Sequence, residues 1–252
     1  MIYIKCETVN ACQTWRHETE EYATLVSRSC DIQCVYGKTS ENWLSPQERL
    51  RWNEIKSPDY SANWFAGRIL AKILLQNHVF PTYTTQNARC FDITSRNQDG
   101  KAVAPTIRLD GAIVDRSLSI SHVAGMVMAT IARTNEFIVG CDLVQCGSVT
   151  PQIRDRFMKH DDLAGVSEAN KQLHIDKIWA AKETGYKIHG TDRGFMPSRW
   201  KVRNLNDATY ECVDMDSDSG NFTLVEFCNV DGVIAAIGYC HQLLEKRKYN
   251  DT

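Results

Sequence analysis

Apolar positions along this chain change their spacing several times, and each change marks an element. From Ala62 to Gln76 the residues Trp64, Phe65, Ile69, Leu70, Ile73 and Leu74 recur at three and four positions, which predicts a broad-faced buried helix. Gly67 inside it implies close packing or close approach of a ligand. Just upstream, Ser45-Pro46-Gln47-Glu48 carries an N-cap, a proline at the first position and a glutamate three after the cap, so a helix starts there. Ser57-Pro58-Asp59 then separates the two helices. Alternation in Leu118-Ser119-Ile120-Ser121-His122 predicts a half-buried strand, and the unbroken run Gly125 to Ala132 a core strand. Phe137 to Asp142 reads as a strand ending in a carboxylate.

Weaker patterns fill the rest. The opening Met1 to Cys6 reads as a strand, Glu18 to Arg28 as a helix, Ile32 to Tyr36 as a strand and Gly37 to Asn42 as a polar turn. Cys90 to Ile93 is a strand, followed by a turn whose Asp99-Gly100 suits a hairpin. In the second half, Gly147 to Pro151 is a turn and Ile153 to His160 a basic helix with Arg154, Arg156 and Lys159. Helical patterning returns at Ser167 to Lys171 and at Lys177 to Lys187. Gly190 to Pro197 is a loop, Trp200 to Val202 and Tyr210 to Val213 are short strands, and Asp214 to Asn221 is an acidic turn. Phe222 to Cys228 and Val233 to Cys240 form a hairpin about Asp231-Gly232. The charged tail from Leu244 to Thr252 frays.

The two halves rhyme. Trp64 to Lys72 begins a helix about as far into the first half as Trp179 to Lys187 lies within the second, and each is followed by short strands ending in an apolar run. The pattern predicts an α+β pseudo-dimer, split into residues 1–136 and 137–252. Each half would be a small antiparallel sheet on a long helix, with a ligand cleft between the halves.

Composition narrows the function. The 252 residues, 43% hydrophobic and 24% charged, suit a soluble globular protein, and a formal net charge of −2 argues against nucleic-acid binding by bulk charge. No apolar run is long enough to span a membrane, and the start lacks a signal-peptide pattern. Ten cysteines are present, but with no CxxC and no matching histidine pair they read as reduced thiols of a cytoplasmic protein.

Chemistry concentrates in two stretches. Val139-Gly140-Cys141-Asp142-Leu143 delivers one carboxylate to a strand end, and Trp179 to Lys187 places Glu183 and Lys187 one helical turn apart. An Asp and a Glu brought together can hold a hard divalent cation, and Lys182 and Lys187 can meet a phosphate. A solvated helix with an ordinary Glu–Lys pair is the competing reading. His122, at a strand end, reads as a packed core histidine or as a ligand contact.

Gly140-x-Asp142, some forty residues, then Trp179-x-x-Lys182-Glu183-x-x-x-Lys187 resembles the signature of the 4′-phosphopantetheinyl transferases, closest to the large monomeric type that activates surfactin synthetase. Leu44-Ser45-Pro46-x-Glu48-x-x-Arg51, Ala66-Gly67-Arg68, Gly100-Lys101-Ala102 and Ser119-Ile120-Ser121-His122 match its flanking motifs in order. The resemblance implies transfer of phosphopantetheine from coenzyme A to a serine of an apo acyl or peptidyl carrier protein, releasing 3′,5′-adenosine bisphosphate. By that resemblance Asp142 and Glu183 bind Mg2+, while Glu183, Lys187 and Lys182 are catalytic. Arg51, Arg68, Lys101, Ser121 and His122 hold coenzyme A. Three positions depart from the pattern: Val144 replaces a second carboxylate, Asn63 an arginine, and Thr184-Gly185 a small-plus-bulky pair. A non-catalytic module that binds coenzyme A or a carrier protein is the alternative, because a fold does not fix a function. A cysteine-based redox or zinc protein fails on spacing.

Overall fold

The computed structural model describes residues 5–9, 12–83, 85–97, 99–158, 160–163, 166–189, 194–216 and 222–241. Residues 1–4 of the strand expected over Met1 to Cys6, Lys159, the start of the 190–197 loop, most of the acidic turn and the charged tail lie outside them. Secondary structure mixes helices with three antiparallel sheets. The chain divides into two compact units, one over Ile4–Val139 and one over Gly140–Thr252.

In the first unit, β1 (Lys5–Val9), β2 (Cys12–Glu18), β3 (Tyr22–Arg28), β7 (Leu118–Val123) and β8 (Met126–Ala132) pair in the order β1-β2-β3-β8-β7. Helices α1 (Ser29–Tyr36), α2 (Ser40–Trp43), α3 (Pro46–Glu54) and α4 (Pro58–His78) join them, and α4 lies on the sheet against β3, β7 and β8. Ser45 caps α3 in a reciprocal capping box with Glu48, and Ser57 caps α4. Gly67 serves packing: a β-carbon there would come within 2.9 Å of the Ile120 side chain. A separate three-stranded sheet of β4 (Phe91–Arg96), β5 (Ala102–Leu109) and β6 (Ala112–Val114) carries the expected turn, with Gly100 at φ +76°.

Two expectations invert here. Residues 18–28 form a hairpin and a strand, because the Thr19 hydroxyl accepts the amides of Glu21 (3.2 Å) and Tyr22 (3.1 Å) and turns the chain. Tyr22 to Ser27 are buried without alternation, and Thr24 is satisfied by a 2.8 Å bond to Thr130 across the sheet. Residues 32–36 are helical instead of extended. Ile32, Val35 and Tyr36 pack into the core at positions i, i+3 and i+4, a spacing one helical face supplies. The 37–42 turn is also partly helical, a 3-10 turn leading into α2.

The second unit has one five-stranded sheet in the order β10-β11-β12-β13-β9. Its strands are β9 (Phe137–Gln145, the end from Gly140 onward in this unit), β10 (Trp200–Asn206), β11 (Thr209–Asp214), β12 (Phe222–Val230) and β13 (Val233–His241). The turn between β12 and β13 places Asp231 at φ +50° and Gly232 at φ +78°, matching the twist of a two-residue hairpin. The sheet carries α6 (Lys171–His189), longer than the 177–187 pattern predicts. The basic helix expected at 153–160 is not formed as such. Only one turn, α5 (Pro151–Arg154), is α-helical; Arg154 pairs with its neighbour Asp155 at 2.7 Å. Among the described residues no helix is long and apolar enough to cross a membrane.

Candidate functional site

The packing of α6 on its sheet decides where the carboxylates go. Gly140 and Asp142 are two residues apart on β9, so both face α6. Asp142 is 3% exposed and accepts a 2.8 Å bond from Lys187 Nζ, which also donates to the Cys141 carbonyl at 2.8 Å. Glu183, one turn before Lys187, hydrogen-bonds to the Asp142 carboxylate and accepts from the Trp179 indole. Trp179 is itself held between Phe157 and Phe195, at ring-centroid distances of 5.1 and 5.5 Å.

Charge follows from this geometry. Burial first, then the Asp142 charge, pushes the Glu183 carboxyl up to about 7, and Lys187 opposes the rise only in part. Near neutral pH the Glu183 carboxyl is therefore partly protonated. Burial alone would depress the Lys187 ammonium, but Asp142, Cys141 and Glu183 outweigh it and hold it above its ordinary value. Two carboxyls and an ammonium converging in a half-buried place can bind a cation, move a proton and steady an anionic oxygen.

Lys182 takes another direction. It is 3% exposed, donates to the Phe157 carbonyl at 2.7 Å and lies over the Phe157 ring. The departures at Thr184-Gly185 and Val144 are packing solutions. A β-carbon on Gly185 would come within 2.9 Å of Cys212 and 3.2 Å of Trp200, and Val144 is 4% exposed in the apolar core. Among the described residues there is no group of three histidine, cysteine or acidic donors for a metal. The Asp142–Glu183 pair offers two carboxylates, and the rise at Glu183 caused by burial and by the Asp142 charge marks a place where positive charge is favoured. Magnesium accepts such a set, because it keeps several waters and takes substrate phosphate.

In the first unit, Arg51 and Arg68 line one cavity of about 220 Å³ together with Gln47, Trp64, Asp92 and Arg96. Arg51 is exposed and paired with Glu54 at 2.9 Å, whereas Arg68 is buried, donates to Ser95 at 2.8 Å and lies 4.6 Å over the Trp64 ring. Its Nε is a buried donor without a hydrogen-bond partner, and so is the buried acceptor Asn63 Oδ1. Beneath them Glu48 does more than cap a helix. It accepts from the Ile93 amide and from the fully buried Lys72, which also donates to the carbonyls of Trp43 (2.7 Å) and Phe91 (2.6 Å). Lys101, Ser121 and His122 lie outside this cavity. Lys101 is exposed in the hairpin turn, Ser121 is 7% exposed in β7, and His122 is exposed, its ring centroid 5.7 Å from that of Tyr60 in an edge-on pair.

Sequence reasoning missed Arg96 and the anchoring role of Glu48. Arg96 meets Arg51 because β4 packs against α3, so no local spacing announces it. The capping box was visible, but the two cations that converge on its glutamate come from α4. The chain matches no family model and no curated protein.

Proposed function

We propose that this protein transfers the 4′-phosphopantetheine group of coenzyme A to a serine of an apo acyl or peptidyl carrier protein. The observation that carries it is the convergence of Asp142, Glu183 and Lys187, with Glu183 pushed up to about 7. In the reaction the serine oxygen bonds to the β-phosphorus of coenzyme A, the bond to 3′,5′-adenosine bisphosphate breaks, and the serine proton passes to a base. Glu183 is poised for that proton because its affinity lies near neutral pH. Lys187 steadies the charge that develops on the leaving phosphate. Asp142 and Glu183 would hold Mg2+, which when bound supplies charge neutralisation to the pyrophosphate.

The 220 Å³ cavity, where Arg68 Nε has no hydrogen-bond partner though it lies 3.7 Å from Glu48 Oε1, suits a terminal phosphate of coenzyme A, and Arg51 and Arg96 at its rim add charge. His122 and Lys101 are exposed and so open to the same ligand. Buried Lys182 supports the site by holding Phe157, which packs on Trp179, the residue that donates to Glu183. The protein would act as a cytoplasmic monomer.

Incubation with coenzyme A, magnesium and an apo carrier protein should add the phosphopantetheine mass to the carrier serine. Glu183→Gln should abolish that gain while the protein stays folded by circular dichroism. No mass gain with several apo carriers, or full transfer by the variant, overturns the assignment.

A further inference from the structure

A second cavity in the first unit, of about 460 Å³, is lined by the start of α3 (Ser45, Pro46, Gln47), Arg49, Arg89, Cys90, Asp92, Arg108, Asp110 and Gly111. Its three arginines come from separate places: Arg49 from α3, Arg89 from the 3-10 turn before β4, and Arg108 from β5. All three are exposed, and among the described residues none of them forms an ion pair. Elsewhere exposed arginines differ: Arg51 and Arg203 sit within 4 Å of a carboxylate, whereas Arg96, Arg133 and Arg156 form no ion pair among the described residues.

The missing pairs do not reflect a lack of acids, for Asp92 and Asp110 line the same cavity. Asp92, which faces Arg108 across the β4–β5 pairing, instead accepts the Ser45 hydroxyl at 2.5 Å. Arg108 donates to the Gly111 carbonyl at 3.3 Å, which leaves most of its guanidinium open. Asp110 sits at the β5–β6 turn with φ +50°. The wall thus offers three forked donors able to grip a planar or tetrahedral anion, beside two carboxylates that accept from hydroxyls. The N-terminal end of α3 adds favourable potential for negative charge. The volume suits a small molecule.

We propose that this cavity binds a small phosphate ester bearing hydroxyl groups, with Arg49, Arg89 and Arg108 taking the phosphate and Asp92 and Asp110 the hydroxyls. Gln47 and Asp92 line both this cavity and the smaller one beside Arg68, so the two adjoin. The proposal stands apart from the transfer reaction, since none of its three arginines is assigned a part in it.

Calorimetric titration of the full chain with ribose 5-phosphate, free ribose and inorganic phosphate, at constant ionic strength, tests it. Ribose 5-phosphate should bind, free ribose should not, and inorganic phosphate should bind at least tenfold more weakly than the ester. Arg89→Ala/Arg108→Ala should weaken the ester at least tenfold. Asp110→Asn, which keeps a side chain tolerant of positive φ, should weaken the ester but not inorganic phosphate. Absence of ester binding to the wild-type protein, equal binding by the double variant, or displacement of the ester by chloride at equal ionic strength overturns the proposal. So does binding of an acidic peptide in place of the ester.

Discussion

Gly140 lies so close to Thr184 that a β-carbon on it would sit 2.6 Å from the Thr184 carbonyl oxygen, and 2.8 Å from Ile188. The first of these is helix backbone and cannot step aside as a flexible side chain can. Gly140→Ala should therefore push β9 off α6 and destabilise the protein by about 1–3 kcal/mol, the usual cost of overpacking. Urea denaturation measures the loss. Asp142 moves with the strand, so the bond to Lys187 should lengthen and transfer should fall with it.

Glu183 predicts a pH dependence of stability. Its folded-state pKa of about 7 lies above the ordinary 4.5, so the folded protein holds this proton more tightly than the unfolded chain. The associated stability is fully present below pH 4.5 and is lost as pH rises through 7. With metal chelated, wild-type stability should drop across that window relative to Glu183→Gln, by on the order of 1–3 kcal/mol. Denaturation midpoints at pH 4.5 and pH 8 check it; a constant difference between the two proteins is the contrary result.

Lys182 and Lys187 should separate cleanly. Lys187 lowers the Glu183 pKa, so Lys187→Met should raise it above 7, readable by carboxyl carbon NMR. Lys182→Met should leave that titration near its wild-type position. Its cost is the orphaned Phe157 carbonyl, about 1–3 kcal/mol of stability.

In the first unit, Lys72→Met strands the Glu48 carboxylate, which is 2% exposed, beside the partly satisfied Arg68. Removing one partner of a buried pair costs about 3–5 kcal/mol. Lys72→Met/Glu48→Gln should recover little of that loss, because Arg68, 3.7 Å from Glu48, then loses its own counter-ion. Thermal denaturation of both variants decides it.

Legibility followed the locality of the forces. The α4 stripe, the Ser45–Glu48 box and the Asp231-Gly232 turn are encoded within a few residues, and all three stand in the structure as expected. Residues 18–28 read as helix because Tyr22, Leu25 and Val26 share helical spacing. That strand is buried without alternation, and one such run suits either element. In the second unit, Asp142, Glu183 and Lys187 do converge, while Lys182, one residue from Glu183, turns toward Phe157. Adjacent helix positions point about 100° apart, so these neighbours could not both face β9. Of the first unit's cavity arginines, Arg51 and Arg68 are picked out by the resemblance. Arg89, Arg96 and Arg108 are illegible because the packing of α3 on β4 and the β4–β5 pairing, not sequence spacing, bring them to the cavities.

Asp176, fully buried in α6, accepts the amides of Gly147 (2.7 Å) and Val149 (3.3 Å), just beyond the end of β9. Lys187, on the same helix, holds Asp142 near the other end of that strand segment. From 176 to 187 the helix advances about 16 Å, and from 142 to 147 an extended chain covers roughly the same length. Strand and helix are thus two rulers of matched length, fastened at both ends. One residue inserted between Leu143 and Cys146 would leave only one of the fastenings able to close, so the register of this short segment sets where the carboxylate pair can meet.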